Sequence, residues 1–359
     1  MDLYQKKEEC CGCNACMDIC PEAAISMVQD REGFYYPKRN KSVCTRCGKC
    51  KEVCPLKNEK LTKNKAFYLG VQAKEERIRS SSSSGGIFPI LAQYVFRRKG
   101  IVYGAGYDND MNVVHKGIEN ECESEQIKRT KYVQSRLEGV YRDIERNLRK
   151  NRWVLFCGTP CQAHALLLFL GRSYEKLIVV DLVCYGVPSP GIWERYVKYL
   201  EHKHQGKMTD FSFRDKRNKD NGHARSYKID GREYVDSIYQ DMFCRMYFRN
   251  YTLRPACYSC TFCKLDKNTD FTIGDFWGIE KIMPAFDDGM GTSLVIGHSE
   301  RAGEIWNEIK DEVKWFECKR EDLMQPRLVE PVRLTKARQR FMLLYKMLPF
   351  QIIMRIMEK

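Results

Sequence analysis

From residue 66 onward, apolar and polar positions run in two alternating rhythms. Leu177–Val183 is almost continuously apolar, the pattern of a strand buried on both faces. Ile101–Tyr107 and Trp153–Cys157 are short, β-rich runs that also read as strands. Between these lie helical stretches at Ile87–Lys99, Gln162–Leu170 and Ile192–His202. Leu137, Val140, Tyr141, Ile144 and Leu148 make a stripe at i, i+3, i+4, i+7 spacing. Strands alternating with helices predict an α/β domain with a mixed sheet.

The flanks of this region behave differently. Residues 55–66 are polar and lysine-rich without apolar periodicity, as a linker would be. At the other end, Phe341, Leu344, Tyr345, Leu348, Ile352, Ile353 and Ile356 follow helical spacing, with a basic remainder. The expected organisation is an N-terminal unit over 1–60, a main domain over 66–334 and an amphipathic C-terminal helix over 335–359. That helix is expected to dock on the main domain or a partner subunit, with Pro349 kinking it. The competing reading, a basic helix lying in an anionic membrane surface, is the less favoured one.

The N-terminal unit carries the strongest chemical signal. Cys10-x2-Cys13-x2-Cys16-x3-Cys20-Pro21 is repeated as Cys44-x2-Cys47-x2-Cys50-x3-Cys54-Pro55. This spacing wraps three thiolates around one 4Fe–4S cubane and sends the fourth to a second cubane. Cys10, Cys13, Cys16 and Cys54 are expected to hold one cluster, and Cys44, Cys47, Cys50 and Cys20 the other. Zinc sites instead use paired C-x2-C ligands, and disulfides need an oxidising compartment that this polar, charged start does not signal. Cys11 is left over, as a small packed residue. The fold class predicted is therefore an α+β ferredoxin-like dicluster domain followed by an α/β domain with a mixed sheet.

Composition narrows the setting. Eighteen cysteines with no secretory segment point to a reducing cytoplasm. No run of eighteen apolar residues exists, so no ordinary helix spans a membrane. The formal charge is +14, with basic residues dispersed along the chain. No nucleic-acid-binding module can be read, which leaves an anionic cofactor, an acidic redox partner or a solvated basic surface.

Three junctions look functional. Ser80–Gly86 precedes the helix at Ile87, where free N–H groups suit a phosphate, although a plain capping loop accounts for it equally well. Cys161 and Cys184 each follow a strand, at the sheet edge where ligands bind in open α/β folds. Cys161 has no evident base beside it, because His164 would face away along its helix. Cys257-x2-Cys260-x2-Cys263 is a third dense group, able to bind zinc or to begin a third cluster completed by Cys161 and Cys184.

The chain resembles the beta-subunit family of coenzyme F420 hydrogenases and dehydrogenases, in the form with an N-terminal dicluster ferredoxin. The resemblance rests on Ser82–Phe88, Val102–Tyr107, Lys131–Ser135, Gly158–Gln162, Cys184–Pro190, Arg254–Cys260 and Asp270–Gly278. The nearest look-alikes are bacterial members found with surface-polysaccharide genes. The resemblance implies a flavoprotein that binds FAD beside a 4Fe–4S cluster. It implies flavin contacts from Ser82, Ser83, Ser84, Gly85, Gly86, Lys131, Tyr132, Gln134 and Ser135. The cluster beside the flavin would use Cys161, Cys184, Cys257 and Cys260. Cys263 departs from the family's usual pattern and leaves the fourth ligand open. Tyr185 stands where many relatives carry histidine, which weakens a proton-donor role there. Asp275 and Trp277 would shape the site, or else form a structural turn with a buried indole.

Together these imply an oxidoreductase in which FAD mediates between one-electron clusters and a two-electron partner, a hydride carrier or organic substrate. No catalytic residue is assigned. A relay subunit that only feeds a partner enzyme is the alternative, and a protein with zinc at the third group a further one.

Overall fold

The computed structural model describes residues 3–58, 66–216, 224–323 and 325–358. Most of the linker, residues 59–65, lies outside them. The N-terminal unit repeats itself. Helix α1 (Ala15–Asp18) sits in the first cysteine run and α2 (Lys49–Glu52) in the second, each entered through a left-handed residue, Asn14 or Gly48. A hairpin, β1 (Ile25–Gln29) and β2 (Tyr35–Arg39), joins them.

The remaining strands are β3 (Phe67–Ala73), β4 (Ile101–Tyr107), β5 (Val113–Ile118), β6 (Val154–Gly158), β7 (Leu177–Leu182), β8 (Met208–Asp215), β9 (Ala224–Ile229), β10 (Arg232–Ser237), β11 (Phe271–Asp275), β12 (Ser293–Gly297) and β13 (Val313–Glu317). The helices are α3 (Glu76–Ser80), α4 (Ile87–Phe96), α5 (Val140–Arg149), α6 (Pro160–Leu170), α7 (Pro190–His204), α8 (Met242–Phe248), α9 (Ile279–Ile282), α10 (Glu300–Ile309), α11 (Lys336–Met347) and α12 (Phe350–Glu358).

Eight strands form one mixed sheet in the order β13-β3-β12-β11-β7-β6-β4-β5. Strands β4, β6, β7 and β11 are parallel, and the flanking strands pair antiparallel. The pleat sorts the apolar residues. Leu155, Ile178 and Val180 face a core shared with α4 and α10. Val154, Phe156, Leu177 and Val179 face the opposite core, shared with α5 and α6. This two-sided burial explains the near-continuous apolar run of β7. A separate three-stranded sheet, β10-β9-β8, packs its Phe211, Phe213 and Tyr227 with Trp193 of α7 and Phe243 of α8. The ferredoxin-like unit followed by an α/β domain is the observed architecture.

The C-terminal region is two helices rather than one. Leu348 is extended, as the residue before a proline prefers, and Pro349 restarts the chain as α12. The restart resets the helical phase. Phe341, Met342, Tyr345, Phe350, Ile353 and Met354 are buried, while Leu344, Ile352 and Ile356 of the sequence stripe are exposed. Arg338 and Lys346 both donate to the carboxylate of Glu32 in the N-terminal unit, at 2.8 and 2.7 Å. No helix among the described residues is long and apolar enough to cross a membrane. In flotation with anionic liposomes, the full chain is expected to stay unbound, like one ending at Leu334. Flotation of the full chain alone would assign the tail to the membrane.

Candidate iron–sulfur and flavin site

The parallel strands aim their carboxyl ends at one side of the sheet. Cys161 stands in the first turn of α6, just past β6. Thr159 caps that helix in a capping box with Gln162, and its hydroxyl is 3.2 Å from Cys161 Sγ. Cys184 follows β7. Segment 184–188 is then clamped to segment 252–257. Arg254 N–H donates to Val187 O at 3.0 Å, Ser189 N–H to Thr252 O at 3.0 Å, and Pro188 bridges Leu253. Gly186 adopts φ +121°, and a Cβ there would press on Leu253 and Cys257. The clamp brings the third cysteine group to the ends of β6 and β7.

The thiols of this group act on one another. Burial first, then the closeness of Cys257, Cys161 and Cys260, drives the Cys184 thiol well up. Burial also pushes Cys257 up to about 12, against the hydrogen bond from Val187 N–H. Cys263 donates to Cys260, which holds Cys260 down near 7 and pushes Cys263 up. Buried thiols that oppose one another's ionisation suit a cationic centre, which would stabilise them as thiolates. Among the described residues, no three His, Cys, Asp or Glu side chains close on a point as a single metal ion requires. A cubane, with each ligand on its own corner, asks for wider spacing than that.

The N-terminal runs meet crosswise. The Cys16 thiol is raised by burial and then by Cys10, Cys54 and Cys50. The Cys50 thiol is raised by burial, and Cys47, Cys20 and Cys44 add to it. Cys54 therefore lies beside the first run and Cys20 beside the second.

The joint between the two units was not legible in the sequence. Cys11 links them: Cys161 donates to Cys11, and Cys11 donates to Cys13. Arg254 is fully buried and reads the adjacent backbone. Its Nε donates to Cys10 O at 2.7 Å, one terminal nitrogen to Tyr35 O at 2.9 Å, and the other to Gln134 Oε1 at 2.9 Å. It also lies over the Tyr36 ring, 4.2 Å from the centroid. Gln134 Nε2 donates to Cys11 O at 2.8 Å. Gly12 sits at φ +69°, where a Cβ would fall 2.6 Å from Arg254 and 2.7 Å from Gln134. Asp18 closes the joint by accepting from the Gly139 and Tyr141 N–H groups at the start of α5, at 2.9 and 3.2 Å.

The two segments that the family resemblance assigns to flavin touch each other through Ser83 Oγ, which accepts from Thr130 N–H at 2.8 Å. Their side chains are largely engaged inside the protein. Ser82 donates to Ile78 O and Ser84 to Thr292 O. Ser135 Oγ accepts from Gln162 Nε2 at 3.1 Å. Tyr132 stacks on Tyr247 with ring centroids 4.8 Å apart. Gly85 has a packing reason, since a Cβ would lie 2.1 Å from Val71 O. The serines do not cap α4, whose N-cap is Gly86 at φ +94° without a side-chain hydrogen bond. The N–H groups of that first turn remain for an anion.

Cations surround this turn. Lys216 donates to Ser84 O and Met290 O at 2.5 and 2.7 Å, and burial followed by Arg214 lowers it to about 8. Lys131 is lowered to about 7 by burial and then by Arg129. The Tyr107 hydroxyl and His115 Nδ1 are buried without hydrogen-bond partners. An uncapped helix start, weakly solvated lysines and orphaned polar atoms fit a flavin diphosphate. Asp275 ends β11 and accepts from Arg214 at 2.9 Å. Trp277 is 55% exposed, so the expected buried indole is absent; its side chain follows the end of β11 outward. His164 turns to Asn58 O, away from Cys161.

Residues 151–321 match the profile that describes the C terminus of the coenzyme F420 hydrogenase/dehydrogenase beta subunit, and residues 9–58 match the 4Fe-4S dicluster domain. No curated protein matches the chain. Among solved structures, a chain of the F420-reducing NiFe hydrogenase complex from Methanosarcina barkeri is similar at 17% identity and a TM-score of 0.46. The match covers 74% of this chain and 85% of that one. With its two matched regions in this order, the chain belongs to the coenzyme F420 hydrogenase/dehydrogenase beta-subunit family and carries an N-terminal 4Fe-4S dicluster domain.

Proposed function

We propose that this chain is an iron–sulfur flavoprotein oxidoreductase that moves electrons between its 4Fe–4S clusters and FAD, and on to or from a hydride carrier or organic substrate. The observation that carries the reading is the line of thiols across the joint, from Cys13 through Cys11 to Cys161 and the Cys184, Cys257 and Cys260 group.

In this reading Cys10, Cys13, Cys16 and Cys54 hold the inner N-terminal cluster, and Cys44, Cys47, Cys50 and Cys20 the outer one. Cys161, Cys184, Cys257 and Cys260 hold the third. A flavin supplies the exchange between one-electron and two-electron chemistry. The first turn of α4, with Lys131 and Lys216, binds its diphosphate. Arg254, Gln134 and Asp18 fix the distance between the inner cluster and the third. The packed joint keeps water from the thiols between them.

Anaerobic purification followed by a cofactor inventory tests this. About twelve iron atoms per chain, four for each of three cubanes, and one FAD are expected. About eight iron with one zinc would overturn the third cluster, and a chain free of flavin would be a relay subunit. The two lysines add a pH signature. An anion raises the pKa of lysines that sit near 7 and 8, so binding takes up protons. Flavin retention on desalting is expected to be higher at pH 6.5 than at pH 9. Equal retention would remove these lysines from the site.

A further inference from the structure

The two cysteine runs are unequal in the fold. The first is turned inward: Cys11 and Cys13 are buried, and Arg254, Gln134 and Arg142 bind the backbone carbonyls of this run. The second is turned outward. Cys47 is exposed, and so are Lys41, Ser42, Val43, Thr45, Arg46 and Lys49 around it.

We propose that this outward face, built around Cys47, is the docking surface for a small acidic one-electron carrier protein. Charge selects the partner. Lys38, Lys41, Arg46 and Lys49 are all exposed, and Glu52 is the only carboxylate between residues 38 and 57. Val43, beside Cys44, is 47% exposed and gives the basic rim an apolar spot. Electron-transfer encounters bury little area and turn over quickly, so long-range charge sets their rate more than contact area does. A basic rim around an exposed cluster ligand meets those requirements for an acidic carrier. Nucleic acid would find no base-reading element here.

The step is a bare electron transfer. One electron leaves the reduced carrier, which is oxidised by one, and enters the outer cluster, which is reduced by one. No bond or proton moves, and the same contact serves the reverse direction. The inward run then faces Cys161, so entry and exit lie on opposite sides of the ferredoxin unit.

The proposal rests on the cluster reading above, and the experiment separates the two. The full-length chain, purified without oxygen and assayed for iron, is mixed with a reduced acidic 2Fe–2S ferredoxin in stopped flow at low and high salt. Titration calorimetry with the oxidised ferredoxin measures binding. Lys41→Glu with Lys49→Glu is expected to slow reduction about tenfold at low salt, to weaken binding and to flatten the salt dependence. Iron content and the rate with dithionite should stay unchanged. Lys314→Glu on β13 is the control and should behave as the parent. If the reversal costs iron, the milder Lys41→Gln with Lys49→Gln must show the same direction. Parent-like rates and affinity in the lysine variants, or an equal loss in the control, would overturn the docking surface. A parent chain without N-terminal iron would instead overturn the cluster reading.

Discussion

Arg254→Ala is expected to destabilise the protein by about 3–5 kcal/mol and to speed oxygen bleaching of the inner cluster. The side chain is fully buried and donates to Cys10 O, Tyr35 O and Gln134 Oε1. Alanine leaves those three acceptors unpaired inside the joint, and each buried group without a partner costs about 1–3 kcal/mol, with incomplete additivity. It also empties the space over the Tyr36 ring. Arg254→Lys should recover only part of the loss, because an ammonium cannot spread its donors as the planar guanidinium does. Gly12→Ala strikes the same joint from the other side, through its φ of +69° and a Cβ 2.6 Å from Arg254. Denaturant unfolding with iron analysis measures all three. A parent-like midpoint for Arg254→Ala would show that the joint does not depend on it.

Cys184→Ser is expected to remove about four of about twelve iron atoms and leave the N-terminal clusters in place. Burial and the neighbouring Cys257, Cys161 and Cys260 dominate the environment of this thiol, with no N-terminal cysteine among its causes. Cys263→Ser discriminates the ligand set. Cys263 donates to Cys260, the arrangement of a neighbour supporting a ligand, and full iron content is expected in that variant. Iron analysis with electron paramagnetic resonance of the reduced protein reads both. Loss of an N-terminal signal in Cys184→Ser would overturn the assignment, and so would full iron.

The strands and helices were legible wherever one element supplied its own periodicity. Ile101–Tyr107 is β4 with the expected bounds, and Leu177–Val183 is β7 less its last residue. Ile87–Lys99 is α4 shortened to Phe96, since Lys99 turns left-handed at φ +53° to enter β4. The tail's apolar spacing was read as a single phase. Only half of it faces the core, because Pro349 interrupts the backbone and rotates α12 relative to α11. Nothing local to Gln134 announced that its amide would reach Cys11 O, more than a hundred residues away.

By itself the sequence determined the two ferredoxin runs, because a ligand set spread over a few residues is fixed by the local backbone path. It also determined the α/β alternation, because burial on one or two faces writes its period directly into the chain. The tertiary structure alone decided the rest. It placed Cys54 beside the first run and Cys20 beside the second. It gathered Cys184, Cys257, Cys260 and Cys161 from separate loops. It turned Cys11 from a spare residue into the contact between units and buried Arg254 against the Cys10 backbone. Each of these depends on where distant strands end and how two cores pack, and residue spacing along the chain carries no record of that.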